Sequence, residues 1–458
     1  MPLSQHPGLG LEVFSKNKVI SATETSLEQL ISRFKLVRKY TQTLCEPLQL
    51  EDFVVQPSID VSPPKWHLAH TSWFFANFIL ANFANNFIWP SVHYPTLFNS
   101  YYKSEGEHWP QAKRGMLSRP TLREILLFRN QVDQQILDLT ESYSQVVPID
   151  FLRILRLGIE HEMQHQELLL MDILYIYWTN LSHPIYHELA VDIADPSYDK
   201  PIKYIPHDEG LHWFGYSDVG GLEFSASAST NDSSEGFAFD NEQPSHRYYL
   251  HSFAIADRLV SNREYLEFIA AGGYEDVSLW LSEGWDYIQA NQITKPLYWL
   301  VEEEHYHEFD LRGVKQLNPS APVRHVSYYE ADAFARWAGK RLPNEYEWEF
   351  FGRHVVSQGI FLEQLLGSSD WPATDRDYHD VHGTLWQWTS SAYTSYPGYT
   401  RPQGALGEYN GKFMTGQKVL RGGCYATPRS HYRPTYRNFY HPDKRWQFTG
   451  IRLAEDRT

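Results

Sequence analysis

From Thr25 to Cys45 the apolar residues Leu27, Leu30, Ile31, Phe34, Val37, Tyr40 and Leu44 recur at spacings of three and four, the period of an amphipathic helix. Ser62-Pro63-Pro64 predicts the start of a second helix, with Ser62 as its cap and proline suited to the first turn. That helix runs through Trp66, Leu68, Phe74, Phe75 and Phe78. A stretch rich in aromatic and polar residues follows, from Trp89 to Pro120. Thr121 caps a third helix reaching about Leu139, and Ile149 to Trp178 carries a fourth. Four long amphipathic helices predict a bundle whose second and third helices are joined by a long crossover, and loops of that length more often serve function than idle.

After Asp195 the texture changes. Pro, Gly, Tyr and Trp become frequent and helical periodicity fades, apart from Asn262–Ala271 and Tyr329–Ala338. The expected architecture is multidomain. An all-α four-helix bundle occupies residues 1–200, and an α+β domain with low regular content occupies 201–458. Ser225–Gly236 is Ser-rich and is expected to be a mobile surface loop.

Composition narrows the function classes. The 458 residues carry 40 basic and 56 acidic side chains, a net charge of −16, which argues against a nucleic-acid partner. Apolar residues at 42 % exclude wholesale disorder. The richest apolar stretch, Leu168–Trp178, is about half the ~20 residues needed to span a bilayer and contains Asp172, so no membrane association is expected. The amino terminus lacks the basic-then-apolar pattern of a secretory signal. Two cysteines, Cys45 and Cys424, exclude a disulfide framework and fit a reducing, cytoplasmic setting.

The sharpest chemical signal is His161-Glu162-Met163-Gln164-His165-Gln166-Glu167 on the fourth helix. Histidines four apart share one helical face, so both imidazoles can reach one ion. The pattern also satisfies His-Glu-x-x-His, the zinc-protease signature with Glu162 as base. Its longer form fails, because Leu168 and Met171 stand where Gly and His belong. A third ligand is available from His67 or His70 in Trp66-His67-Leu68-Ala69-His70, with a capping or supporting role favoured for His67. Three histidines accept zinc or ferrous iron, and ligand type alone does not choose between them.

Two sets of motifs then carry a resemblance. Ser62–His70 (SPPKWHLAH), Leu97–Tyr102 (LFNSYY), Arg114–Pro120 (RGMLSRP) and His161–Glu167 resemble the DinB-type metal-binding bundle. Phe239–Glu242 (FDNE), Pro322–Ser327 (PVRHVS), Trp337–Trp348 (WAGKRLPNEYEW), Gly383–Thr389 (GTLWQWT), Arg421–Cys424 (RGGC), Tyr436–Pro442 (YRNFYHP) and Gly450–Ala454 (GIRLA) resemble the formylglycine-generating-enzyme (sulfatase-modifying factor) fold, a relative of C-type lectins. Their joint order is similar to the iron-dependent sulfoxide synthases of ergothioneine biosynthesis, close to those of the ovothiol pathway. Formylglycine-generating enzymes use a cysteine pair in that domain. Here only Cys424 is present, so the domain is read as a substrate-binding wall.

The resemblance implies Fe(II) held by His70, His161 and His165, with O2 as co-substrate. It implies small-molecule substrates: hercynine or histidine, and cysteine or γ-glutamylcysteine. Gln164 then hydrogen-bonds the substrate imidazole. Tyr101 or Tyr102 supplies a proton during oxidation, with Tyr393, Tyr396 and Tyr440 as rivals. Arg114 and Arg119 suit the carboxylate of a cysteine-type substrate. Asn438, Phe439 and Tyr440 suit a trimethylammonium group, whose receptor is aromatic. Trp348, Trp386, Trp388 and Arg421 are read as structural. C2 against C5 regiochemistry, the thiol donor and the oligomeric state stay open. A chain ending at Thr458 leaves no room for the methyltransferase domain usual in ovothiol-type chains, which leans towards the ergothioneine reading. Rival classes are a zinc-dependent DinB-type thiol transferase, a zinc metalloprotease and a non-catalytic binding module.

Overall fold

A computed structural model describes residues 24–143, 147–188, 193, 196–217, 237–355, 359–365 and 378–457. The Ser-rich stretch 225–236 and the first ten residues lie outside them. The chain divides into two compact units, Met1–Thr179 with Arg401–Tyr409, and Asn180–Thr400 with Asn410–Thr458.

The first unit is helical. Its long elements are α1 (Glu24–Cys45), α2 (Pro64–Phe75), α3 (Leu122–Glu141) and α4 (Ile149–Thr179). The apolar stripe of α1 is buried at Leu30, Phe34, Val37 and Leu44. Thr121 caps α3 as expected, its hydroxyl accepting from the Glu124 N–H while Glu124 accepts in return from the Thr121 N–H at 2.7 Å. Ser62 is not the cap of α2. Pro63 takes that position, and Ser62 instead donates its N–H to Asp172 at 2.8 Å and accepts from Arg114 at 2.8 Å. Helix α2 then widens into a π turn over Ala76–Leu80. Every residue from Pro64 to Phe75 is buried, so α2 is the central helix of the bundle. Gly158 on α4 permits a close approach, since a Cβ there would fall 2.4 Å from the Phe75 ring. The crossover has local order, with helical turns at Tyr94–Phe98, Lys103–Glu105 and Gln111–Met116.

Glu162 ties these helices together. It is fully buried and accepts from Arg38 and Thr41 of α1, at 2.9 and 2.7 Å, and from Arg129 of α3. Arg38 also donates to Asp133 and Ser72, and Arg129 donates to Thr71 and to the Arg38 carbonyl. Burial pushes the Glu162 carboxyl up, but the two guanidiniums outweigh it and hold the group at about 2.

Among the described residues, the second unit contains four small sheets. The three-stranded sheets order Tyr204–His207, Phe253–Ala256, Ala454–Asp456, and Trp299–Glu302, His305–Asp310, Gly313–Gln316. The four-stranded sheet orders Asn438–Tyr440, Lys418–Arg421, Trp386–Ala392, Thr449–Gly450. A two-stranded ribbon pairs Gly210–Phe214 with His246–Leu250. The expected helices form at Asn262–Ala270 and Tyr328–Trp337. Sequence reading missed Ser282–Ala290 and Glu345–His354, although Asn344 and Glu347 form a capping box at the start of the latter.

Strands this short satisfy few of the chain's polar groups, and buried arginines do much of the remaining work. Arg437 donates to Glu345 at 2.8 and 3.0 Å, Arg421 to Glu349, and Arg433 to Glu242. Arg452 donates to the carbonyls of Ala256 and Asp380. Of these arginines, Arg421, Arg437 and Arg452 fall within the strings quoted for this half. Trp348, Trp386, Trp388 and Arg421 are fully buried, with Trp348 donating to Gln387 and Trp388 to the Val326 carbonyl.

Glu162→Gln leaves two buried guanidiniums without their shared counter-charge. The expected loss is about 3–5 kcal/mol of bundle stability, read as a lower denaturation midpoint in urea.

Candidate metal centre

The site is built on α2, α4 and the crossover. His161 and His165 stand one turn apart on α4, and His70 faces them from α2. One nitrogen from each ring lies within 4.8 Å of the others, and all three residues are buried. The His70 and His161 Nε2 atoms are 3.2 Å apart. Among the described residues this is the one cluster of three or more His, Cys, Asp or Glu side chains with such convergence.

Two of the rings, His70 and His165, are hydrogen-bonded from behind, and His161 is held by stacking. His70 Nδ1 donates to the Phe98 carbonyl at 2.6 Å, so its Nε2 carries a lone pair towards the centre. His165 Nδ1 is 2.9 Å from His67 Nδ1, and His67 Nε2 is 3.0 Å from Asp172. Phe74 stacks on His161 with centroids 4.5 Å apart. Trp66 and Trp73 lie on either side of His70, at 4.6 and 5.7 Å. Burial holds His161 down at about 3, and burial with the neighbouring imidazoles holds His70 and His165 well below their ordinary value, so all three rings are neutral at pH 7.

These residues fit a metal. Nitrogens sharing an ion at about 2.0–2.1 Å sit roughly 3–3.5 Å apart. A lone pair on His70 aimed at a second ring nitrogen at 3.2 Å is repulsive unless a proton or a cation lies between them. Glu162, by contrast, spends both oxygens on Arg38, Arg129 and Thr41, which leaves the protease reading without its base.

The other first-unit candidates gather unevenly. Asn99 clasps the Tyr102 backbone, accepting from its N–H and donating to its carbonyl, both at 2.9 Å. The Tyr102 ring is buried against Trp73 at 5.6 Å and Tyr101 at 4.7 Å. Its hydroxyl is buried and interacts with the phenol of Tyr101. Burial, with the phenols of Tyr101 and Tyr409 nearby, pushes its pKa well up. The Arg114 guanidinium lies 3.3 Å from the Trp66 ring centroid, donates to Ser62, and keeps a buried Nε without a partner. Burial lowers its pKa to about 9, so it stays charged at pH 7. Arg119 is exposed, donates to the Ser118 carbonyl and is not brought to the histidines.

Gln164 reveals a residue that sequence reasoning missed. Its Oε1 accepts from the Tyr409 hydroxyl, and the Tyr409 ring lies 5.8 Å from His161. Glu408 anchors that segment by accepting from the backbone N–H of Lys103 and Ser104, at 3.1 and 2.9 Å. Gly407-Glu408-Tyr409 carries no periodicity that ties it to Gln164, 245 positions before Tyr409.

In the second unit, Asn438, Phe439 and Tyr440 form a half-buried strand paired with Lys418–Leu420. Phe439 stacks on Tyr393 at 4.0 Å, and Tyr440 lies 5.6 Å from Trp446. Tyr393 and Tyr396 are buried and occupied, Tyr393 accepting from Asn241 and Tyr396 donating to Glu345. Both cysteines are buried free thiols, and burial pushes Cys45 up to about 12.

The sulfatase-modifying factor enzyme 1-like domain matches residues 220–364 and 368–457, just over half of the chain, and the DinB superfamily matches 33–169. A hercynine oxygenase of Mycolicibacterium thermoresistibile is 34 % identical over 249 residues, 48 % of this chain and 55 % of that protein. One of Mycobacterium tuberculosis is 33 % identical over 245 residues, 48 % and 57 % respectively. A formylglycine-generating enzyme of Streptomyces coelicolor is 26 % identical over 270 residues, 48 % of this chain and 84 % of that protein. The matches to the hercynine oxygenases thus span a little over half of their length. Its sulfatase-modifying factor enzyme 1-like domain is preceded by a DinB-superfamily bundle, and the chain belongs to the sulfatase-modifying factor enzyme 1-like family.

Proposed function

We propose that this chain is a non-haem Fe(II)- and O2-dependent sulfoxide synthase. It joins the sulfur of cysteine or γ-glutamylcysteine to the imidazole C2 of hercynine and yields the S-oxide. The observation that carries the reading is the convergence of three neutral, buried imidazoles with no carboxylate among them. Ferrous iron held by His70, His161 and His165 would supply the oxidative chemistry, and its uncompensated charge favours a thiolate partner.

The chain's own residues then bind, orient and hold protons. The Tyr409 hydroxyl fixes the Gln164 amide by its oxygen, and Gln164 is the side chain proposed to hydrogen-bond the substrate imidazole. Arg114 offers its unpartnered buried Nε to the carboxylate of the thiol substrate, and stacking on Trp66 fixes the guanidinium plane. Like any phenol Tyr102 keeps its proton at neutral pH, and burial pushes its pKa further up, so Tyr102 Oη is a donor held in reserve, with Tyr101 beside it. Phe439 and its strand neighbours are proposed as the aromatic receptor of the trimethylammonium group. Oxidation of a sulfatase cysteine is disfavoured, because the second unit has Cys424 alone. The ovothiol-type reaction, at C5 of histidine, is the second reading, since the ligands and architecture are shared.

The decisive experiment is anaerobic reconstitution with Fe(II), then oxygen with hercynine or histidine, each paired with cysteine or γ-glutamylcysteine. Mass identifies the donor and ring-proton NMR the carbon. A C2-linked sulfoxide from hercynine is expected; zinc-supported thiol transfer without oxygen uptake would replace the reading. His165→Ala is expected to abolish iron binding, measured as iron per chain after desalting, and full retention counts against the ligand set. Tyr102→Phe is expected to divert product from sulfoxide to cysteine sulfinate, and an unchanged ratio by mass spectrometry moves the donor elsewhere.

A further inference from the structure

Helix α2 buries a second histidine beside the metal centre, and its surroundings specify where its protons sit. Asp172 Oδ2 accepts from the Ser62 N–H at 2.8 Å and lies 3.0 Å from His67 Nε2. An ionised carboxylate oxygen can only accept a hydrogen bond, so the ring nitrogen beside it donates and His67 Nε2 is the protonated nitrogen. In the neutral ring Nδ1 is then an acceptor, and it faces His165 Nδ1 at 2.9 Å. His165 Nδ1 must therefore donate, which leaves the lone pair of His165 on Nε2. All three side chains are buried, so no bulk water competes for these positions.

We propose that Asp172 and His67 form a positioning relay that locks His165 in its Nε2-ligating tautomer and raises its strength as a donor towards the metal. The inference rests on the metal-site reading and adds to it two residues that touch neither metal nor substrate. His70 has the simpler equivalent, a backbone carbonyl at Phe98. The two supports differ in what substitution can remove, since only the relay is made of side chains. Supports of this kind are worth roughly 10–100-fold in metal affinity.

The test is titration of the full-length apoprotein with Co(II), followed by its visible absorption. His67→Phe removes the acceptor and keeps a ring of similar size; a roughly 10–100-fold weaker Co(II) affinity is expected. His67→Gln returns an acceptor oxygen and is expected to recover part of that loss. Wild-type affinity in His67→Phe, or a Gln variant as weak as the Phe variant, overturns the relay. His165→Ala run alongside separates the two levels: if it binds Co(II) normally the ligand set fails, whereas if it loses Co(II) and His67→Phe does not, only the relay fails. Should His67→Phe not fold, long-range ¹H–¹⁵N spectra of the Zn(II)-loaded wild type decide. Protons on His67 Nε2 and His165 Nδ1 support the relay, and a proton on His67 Nδ1 overturns it.

Discussion

Three uncharged imidazoles packed together in a dry interior leave lone pairs facing one another, and such an arrangement is stable only if a cation or a proton lies between them. The rest of the first unit can be understood as enforcing that condition. Burial keeps the rings neutral. Acceptors behind His70 and His165 turn their donor nitrogens away from the centre, and Phe74 and the two tryptophans fix the ring planes. A site of this kind holds its geometry in rigid helices, as orienting groups require.

The bundle must also resist the strain of burying so many polar groups. Glu162 does this at the residue next to a ligand, joining α1, α3 and α4 through two guanidiniums. The same His-Glu-x-x-His motif that suggested a protease base thus marks a structural tie. In the second unit the equivalent devices are the pairs of Arg437 with Glu345 and Arg421 with Glu349, which hold loops that short strands cannot. Function resides in what these frames present, and the frames themselves are shared with enzymes of different chemistry.

Much of this was legible in the sequence because helical period is a strong signal. The stripe on α1, the Thr121 capping box and the four-residue spacing of His161 and His165 all translate directly into geometry. Other features were written less plainly. Arg38 stands on the buried stripe with Phe34 and Val37, and Arg129 beside Phe128 and Val132; a charge on an apolar face was the available sign of the Glu162 cluster. Ser62 read as a cap because its residue type is right, but Arg114, from the distant crossover, donates to its hydroxyl and Pro63 takes the cap position. Tyr409 had no local sign at all. It reaches Gln164 through an irregular segment anchored by Glu408, and no period or spacing encodes such a contact.

X-ray absorption at the iron edge of the Fe(II)-loaded protein tests the central claim most directly. The account predicts an inner shell that contains three imidazole nitrogens and no protein carboxylate. A shell with one histidine or none, or one dominated by carboxylate oxygen, would contradict it.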